Sequence, residues 1–501
     1  MIQKDIALFE KQVWDAACMM RGKIPTEQYK DIILAIIFLK YANARFEATY
    51  EMLKKMEWRT GYKFKDNPQN YIVYNSIYLN REARWDTIRN STEEEIGFAL
   101  DRAMINLKMC NKSLENAVSC NFRSEEIDKR VLKNVVSILS KIDLTDIQTD
   151  SDLIGRVYEF CLREFAMNGK GEYYTPKSVV KLLVSIVQPF EGCTLYEPCA
   201  GSGGMIVQSY KYLKAHGGDT MKIYAQEAVP NTWRIAKQNM TIRGIRADFG
   251  EAPADTFHND QHKDIMADCI MANPPFNLSS WGYESLKFDA RWIYGLPSDT
   301  NANYAWFEHM LSHLNEKGRM GVVMSNGAGT SQDVSDLKIR KNMIEADLIE
   351  GIVSLPRNMF YSTTIPATIW LFTKKKKKKR KILFVDAKGF GKKDKHLLEF
   401  SDIDIQQISA CFDAFRSGKQ IDIPGVAKSA DIGTVRANNY NLTSGLYIDS
   451  RREVESQKLL LKRIKSNYLE LESLQEQSRE LALEMQSVMD ETCFEIYAQE
   501  N

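Results

Sequence analysis

The spacing of hydrophobic positions changes character along the chain. Up to about residue 147 it is helical. Trp14, Ala17, Cys18 and Met20 mark one amphipathic face, and Ile96 to Leu107 and Leu132 to Leu139 keep the same period. Tyr29 to Tyr41 is apolar nearly all round, which predicts the centre of a helical bundle. Asp152 to Phe160 and Lys177 to Val187 predict two further helices. From Cys193 the texture becomes alternating βα. Short strands are predicted at Thr194–Tyr196, Lys222–Glu227, near Ala254–Phe257, and at Asp268–Ala272. Helices are predicted at Met205–Leu213 and Thr232–Met240. A helix from Asn301 toward Leu314 leads to strands at Met320–Met324, Leu348–Val353, Thr368–Phe372 and Ile382–Val385. Beyond Arg451 the chain is charged and helical. Leu460, Ile464, Asn467, Leu471, Leu474, Ser478, Leu481, Met485 and Val488 alternate steps of four and three, a heptad seam with two polar interruptions. A helix of that kind needs a partner. The pattern predicts an α/β protein with an N-terminal helical domain (1–147), an α/β domain (148–440) and a C-terminal helical, coiled-coil tail (441–501).

Composition narrows the class. A chain of 501 residues with 44% hydrophobic and 27% charged positions has material for a core and for two or three units. Its net charge is +1. A protein that grips DNA unaided usually carries a strong basic excess, so either nucleic acid is not bound or a partner supplies much of the grip. Nine cysteines without a CxxC pair support neither a zinc site nor a disulfide framework, and no metal is expected. The N-terminus lacks a signal-peptide pattern, no apolar run reaches the ~18 residues of a membrane span, and no fixed-period repeat is visible. Lys374 to Arg380 is a run of cations between two strand-like segments. It reads either as a DNA-phosphate contact or as a solvated hairpin loop.

Candidate chemistry gathers at strand ends. Asn273-Pro274-Pro275-Phe276 follows the buried run ending at Ala272. Two prolines neither donate to a sheet nor continue a helix, so the strand must end in a stiff turn. Asn273 Oδ1 and the Pro274 carbonyl then become fixed acceptors, with the Phe276 ring across from them. A flat ligand with an exocyclic amino group fits that arrangement. Glu197-Pro198-Cys199-Ala200-Gly201-Ser202-Gly203-Gly204 is a glycine-rich turn between strand and helix. It lacks GxGxxG spacing and a GKT/GKS sequence, and its acidic start suits a cation or amine better than a phosphate. Glu227 ends the second strand, where doubly wound folds place an acid on ribose hydroxyls. Gly169 and Gly171 predict a mobile loop carrying Tyr173 and Tyr174. Thr175 is the expected helix N-cap and Pro176 the first helical residue. In an open α/β sheet such strand ends converge on one crevice.

These residues together resemble a class I S-adenosylmethionine-dependent methyltransferase, a Rossmann-like doubly wound fold. Asn273 to Phe276 resembles the catalytic motif of N6-adenine DNA methyltransferases. Gly171 to Lys177, Glu197 to Gly204, Gln226-Glu227 with Asn231-Thr232-Trp233, and the Tyr29–Tyr41 helix resemble the modification subunit of type I restriction-modification systems. The resemblance implies that Glu172, Tyr173, Tyr174, Thr175, Pro176 and Lys177 close over S-adenosylmethionine. It implies that Glu197 with Ala200, Gly201, Ser202, Gly203 and Gly204 hold the methionine part, that Glu227 takes the ribose and that Asp255 lies near the cofactor's adenine. Asn273, Pro274, Pro275 and Phe276 would hold a target adenine flipped out of double-stranded DNA. The implied partners are a specificity subunit, reached through the N-terminal domain and the C-terminal helix, a second modification subunit and a restriction subunit. The implied setting is the bacterial or archaeal cytoplasm, without membrane association. Two other readings remain open: methylation of a protein glutamine amide, which also uses Asn-Pro-Pro-aromatic, and a non-catalytic assembly scaffold.

Overall fold

Apolar, β-branched runs between residues 194 and 431 pair into a nine-stranded mixed sheet in the computed structural model. The structure describes residues 10–15, 17–19, 26–74, 76–117, 121–141, 147–168, 175–360, 366–394, 397–449 and 457–499. The strands are β1 (Thr194–Glu197), β2 (Lys222–Ala225), β3 (Ala267–Ala272), β4 (Leu314–Ser325), β5 (Ile349–Ser354), β6 (Ala367–Thr373) and β7 (Lys381–Asp386). A separate two-stranded hairpin pairs β8 (Lys392–Asp394) with β9 (Leu397–Glu399), and β10 (Asp422–Ile423) and β11 (Ala427–Asp431) complete the large sheet. Its order is β10-β11-β7-β5-β6-β4-β3-β1-β2. β2, β1, β3 and β4 run parallel, whereas β6 lies antiparallel between β4 and β5. After β1 the chain steps to β2 on one side and returns to place β3 on the other. The carboxyl ends of β1 and β3 therefore flank the point where strand order reverses, which in such sheets is where ligands bind.

The period-2 pattern sorts side chains onto two faces. Leu195, Cys269 and Met271 pack in one apolar layer, with the Lys177–Val187, Gly204–Ala215 and Asp402–Arg416 helices. Tyr196, Ile270 and Ala272 pack in the other, with the Asn303–His313 and Val334–Glu345 helices. Both faces are covered, as the parallel β2-β1-β3-β4 part of the sheet requires. One expected strand is missing. The segment near Ala254–Phe257 is a loop, and the third βα unit contributes a single bridge, Tyr224 to Asp248. Gly250 at φ +69° turns the chain away after it, and Pro253 removes a donor from any continuation.

The N-terminal helices share an apolar core with the α/β part. Thr26–Thr60 is one helix whose Tyr29–Leu39 stretch is buried except for the half-buried Asp31, and Ile235 and Ile242 of the Pro230–Ile242 helix join the same cluster. Gln238 Nε2 donates to the Ala117 carbonyl (2.9 Å), and Tyr41 Oη donates to that of Thr241 (3.1 Å). The chain divides into two units, Met1–Ile448 and Asp449–Asn501. The second is a single helix over Gln457–Gln499, with Ile464, Leu471, Leu474, Leu481, Met485 and Val488 all more than half exposed.

Two polar features fix the frame. Arg416 and Glu350 form a buried bidentate pair (3.0 and 2.6 Å), and Arg416 also donates to the Ile186 carbonyl (2.6 Å). Arg416→Ala leaves a buried carboxylate alone. It is expected to cost about 3–5 kcal/mol, measured by chemical denaturation. The basic run is the second feature. Lys376 is buried and paired with Asp347 (2.6 Å), while the Arg380 backbone N–H donates to the same carboxylate (2.9 Å). Because β6 is antiparallel, this loop leaves the sheet at the edge opposite Asn273. It is not the expected hairpin: β5 lies between β6 and β7, so the loop crosses the end of β5, anchored on Asp347, remote from the carboxyl ends of β1 and β3.

Candidate active site

β3 carries its buried run to Ala272, and the two prolines stop pairing there. Pro274 is buried, and Asn273, Pro275 and Phe276 are half-buried. Asn277 adopts φ +53°, and its backbone N–H reaches Asn303 Oδ1 (2.9 Å). Asn303 Nδ2 donates back to Asn277 Oδ1 (2.8 Å), so the turn is clamped from behind. Asn273 Nδ2 donates to Thr175 Oγ1 (2.8 Å). Asn273 Oδ1 is buried and has no hydrogen-bond partner. The Phe276 ring stands edge-on to Phe360, centroids 6.4 Å apart. The site thus presents a fixed acceptor oxygen and an aromatic ring at one strand end.

Thr175 differs from its expected role. The helix N-cap is Pro176, the helix starts at Lys177, and Thr175 makes no cap bond. A threonine hydroxyl at the expected N-cap would have faced its own helix; here it holds the Asn273 amide instead. Lys177 is exposed and paired with Glu159 (3.4 Å). Glu172, Tyr173 and Tyr174 lie outside the described residues.

The glycine-rich turn leaves β1 at Glu197. Glu197 is only 3% exposed, and its Oε2 has no partner. Burial, reinforced by the nearby Glu227 carboxylate, pushes its pKa well above the usual carboxylate range. Glu227 Oε2 accepts from the Gly201 N–H (2.9 Å) and Oε1 from that of Val229 (2.8 Å). The Ala200 N–H donates to the Gln226 carbonyl (2.9 Å), which ties the turn to the end of β2. Gly201 has φ +55° with open space where a Cβ would sit. Gly203, at φ +80°, is the N-cap of the next helix, and a Cβ there would meet Met240 Cε at 2.7 Å. The Ser202 carbonyl accepts from Asn239 Nδ2 (2.8 Å), and Gly204 also faces open space. Asp255 is exposed; its Oδ1 accepts from the Phe257 (2.9 Å) and His258 (3.0 Å) N–H groups. Its neighbours dock the loop on the site: the Ala254 N–H reaches the Glu227 carbonyl (3.0 Å), and Thr256 Oγ1 that of Pro198 (2.5 Å). Two acids beside bare, positive-φ backbone, one with an unsatisfied buried oxygen, fit a ligand bearing a positive charge and hydroxyl donors. They do not fit a phosphate.

A buried network below the site was not anticipated. Tyr196 Oη meets His309 Nε2 (3.0 Å), Arg291 Nη1 meets His309 Nδ1 (3.0 Å), and His313 Nε2 meets Asp260 Oδ2 (2.8 Å). The spacing of His309 and His313, four apart on one helix, is the signal for it. Asp260, His309 and His313 have the composition of a metal site. However, both nitrogens of each ring are engaged, His313 Nδ1 with the Ile265 carbonyl (3.2 Å), and a guanidinium lies against His309. Burial lowers the His309 pKa well below the usual value, so the ring is neutral. The network braces the carboxyl end of β1 against the Asn303–His313 helix.

Comparison with known proteins agrees with this geometry. Residues 149–456 match the family model for N-6 DNA methylases, and residues 9–139 match that for the HsdM N-terminal domain. The chain belongs to the N-6 DNA methylase family. The HindI methylase subunit of a type I restriction enzyme from Haemophilus influenzae is 42% identical over 309 residues, covering 60% of this chain and 70% of that one. The MjaIX methylase subunit from Methanocaldococcus jannaschii is 31% identical over 512 residues, covering 96% and 91%. The methyltransferase subunit of a type I restriction-modification system from Streptococcus thermophilus has the same fold, with TM-score 0.75, 22% identity and coverage of 89% of this chain and 100% of that one. This N-6 DNA methylase is therefore grouped with type I methylase subunits, as the Glu197–Gly204 turn, Gln226-Glu227 with Asn231–Trp233, the Gly171–Lys177 stretch and the Tyr29–Tyr41 helix implied. The glutamine-amide and scaffold readings receive no support from these relatives. Among the described residues no helix is long and apolar enough to cross a membrane.

Proposed function

We propose that this chain is the modification subunit of a type I restriction-modification complex and methylates adenine N6 in double-stranded DNA. The observation that carries this reading is the buried, unpartnered Asn273 Oδ1 at the topological switch point. S-adenosylmethionine, when bound, supplies a methyl group on a sulfonium centre. Glu197 and the Ala200–Gly204 turn hold its methionine part, Glu227 its ribose hydroxyls, and Asp255 lies by its adenine. Thr175 stands at the mouth, with Glu172, Tyr173, Tyr174, Pro176 and Lys177 contributing the covering segment.

The target base is unreachable inside a duplex, so it must be flipped out. Phe276 stacks on it. Its N6 lone pair is delocalised into the ring, which makes the nitrogen a poor nucleophile. Asn273 Oδ1 and the Pro274 carbonyl accept the two N6 protons, favour a more tetrahedral nitrogen and offset the positive charge that develops there. Alignment with the methyl group supplies the rest. Thr175 acts as a positioning residue: by occupying Asn273 Nδ2 it turns Oδ1 toward the base. Thr175→Val is expected to lower kcat about tenfold; single-turnover methylation at saturating cofactor reads that step.

A near-neutral net charge leaves much of the DNA grip to a partner. We assign that role to a specificity subunit docked on the N-terminal helices and the apolar row of Gln457–Gln499, in a complex with a second modification subunit and a restriction subunit, in the cytoplasm. Leu474→Glu with Leu481→Glu is expected to abolish co-purification of the specificity subunit while leaving S-adenosylmethionine affinity unchanged. Loss of both would reject a docking role. The proposed function is tested by expressing the chain with that subunit in a methylation-free host and mapping N6-methyladenine by single-molecule sequencing. Marks at one motif, made only by the complex, support it. Marks made by the chain alone reject the partner assignment, and no marks from a soluble complex reject the reaction.

A further inference from the structure

A second cavity lies away from the catalytic crevice, where the N-terminal helices meet the edge of the sheet. Its volume is about 480 Å³, within the range of small-ligand sites. It runs along β2, the last strand of the sheet, and beneath the Pro230–Ile242 helix. None of the residues assigned to the cofactor or the target base lines it.

The lining is unusual in charge. Arg45, Lys222, Lys237 and Arg246 converge on it, against the single carboxylate of Asp248. The whole chain carries only +1, so the excess here is a local concentration. Asp248 already accepts from the Gly250 N–H (2.9 Å). Lys237 is half-buried above the Trp233 ring (4.2 Å), and desolvation lowers its pKa. A desolvated ammonium gains from an anion beside it more than a surface lysine does. Tyr41 and Phe249 supply buried aromatic wall, and the Tyr41 hydroxyl is already engaged with the Thr241 carbonyl. The site is therefore concave, cationic and apolar-walled, with little acceptor chemistry left for a cationic guest. This is the opposite of the acid-lined turn at Glu197.

We propose that this cavity is a binding site for a phosphate-bearing ligand, distinct from the cofactor site. The phosphate chemistry could be that of a free small molecule or of the DNA backbone, and the test distinguishes them. Pyrophosphate is titrated calorimetrically into the full-length chain and into the Lys222→Gln/Arg246→Gln double variant. Both side chains are exposed, and thermal melting checks the fold. In parallel, duplex DNA binding by the complex with the specificity subunit is followed against salt. Pyrophosphate binding that weakens about tenfold or more in the double variant supports a free-phosphate site. If pyrophosphate binds neither protein but the variant complex loses DNA affinity and about two units of salt slope, the ligand is the DNA backbone. If the variant matches the parent in both assays, the proposal is overturned. Should the double variant fail to fold, Lys237→Gln alone is read the same way. The assay uses neither methyl transfer nor S-adenosylmethionine, so failure of the catalytic reading leaves its outcome intact.

Discussion

Asn273→Ala is expected to lower turnover on DNA by about 10²–10³-fold, the typical cost of deleting one preorganised group that stabilises transition-state charge. Affinity for S-adenosylmethionine should not change, because Asn273 belongs to the target-base half of the crevice. The expectation follows from one arrangement: Nδ2 is occupied by Thr175 at 2.8 Å and Oδ1 is buried without a partner. A buried acceptor left unsatisfied is costly to the folded protein. That cost is offset only when a donor arrives, and in this account the donor is the N6 amino group. A rapid-quench assay at saturating cofactor reads the chemical step directly. An alanine variant that still methylates at the parental rate would show that the acceptor plays no part.

Glu197→Gln should weaken S-adenosylmethionine binding by about a hundredfold, the scale for removing one member of a buried charge pair. The parent protein should also show a characteristic pH dependence. Burial and Glu227 raise the Glu197 pKa in the ligand-free fold. Between the ordinary carboxylate range and that raised value the folded state holds a proton that the unfolded state has lost. This group's contribution to stability is therefore present at low pH and declines as pH rises through the window. A bound cation reverses the preference and favours the ionised carboxylate. Binding must then release a proton, and affinity must climb with pH up to the raised pKa. Calorimetry in buffers of different ionisation enthalpy counts that proton. In Glu197→Gln both the release and the pH slope should vanish. Tight, pH-independent binding by the variant would remove Glu197 from the cofactor site.

What was legible was mostly local. A buried apolar run closed by two prolines announces Asn273 at a strand end, and acids following short strands announce Glu197 and Glu227. Each signal depends on neighbours in sequence. The Thr175–Asn273 bond joins residues 98 apart, and nothing near either one marks it. Helix-capping preference pointed Thr175 the other way, and tertiary geometry won. The strand expected near Ala254 reduced to a bridge at Asp248, because one bridge on an edge gains too little to organise a run broken by Gly250 and Pro253. β6 was expected as a strand, but its direction was not assigned. No described helix separates β5 from β6. Parallel neighbours need such a crossover, so the antiparallel insertion was in principle readable. The Lys374–Arg380 run illustrates the limit of composition: Lys376 is consumed by Asp347 inside the fold, and strand direction carries the loop to the far edge. The heptad seam on Gln457–Gln499 was legible as a surface and stays exposed in the isolated chain.

The central claim is that the Asn273 clamp directs a methyl group onto adenine N6. Its most direct test is the chemical identity of the product. The purified complex is incubated with duplex DNA and methyl-labelled S-adenosylmethionine, the DNA is digested to nucleosides, and the label is located chromatographically. The account predicts label in N6-methyldeoxyadenosine alone for the parent, and the same product formed about 10²–10³-fold more slowly by Asn273→Ala at equal cofactor occupancy. Label in a methylated cytosine, label retained on protein, or undiminished N6-methyldeoxyadenosine from Asn273→Ala would contradict it.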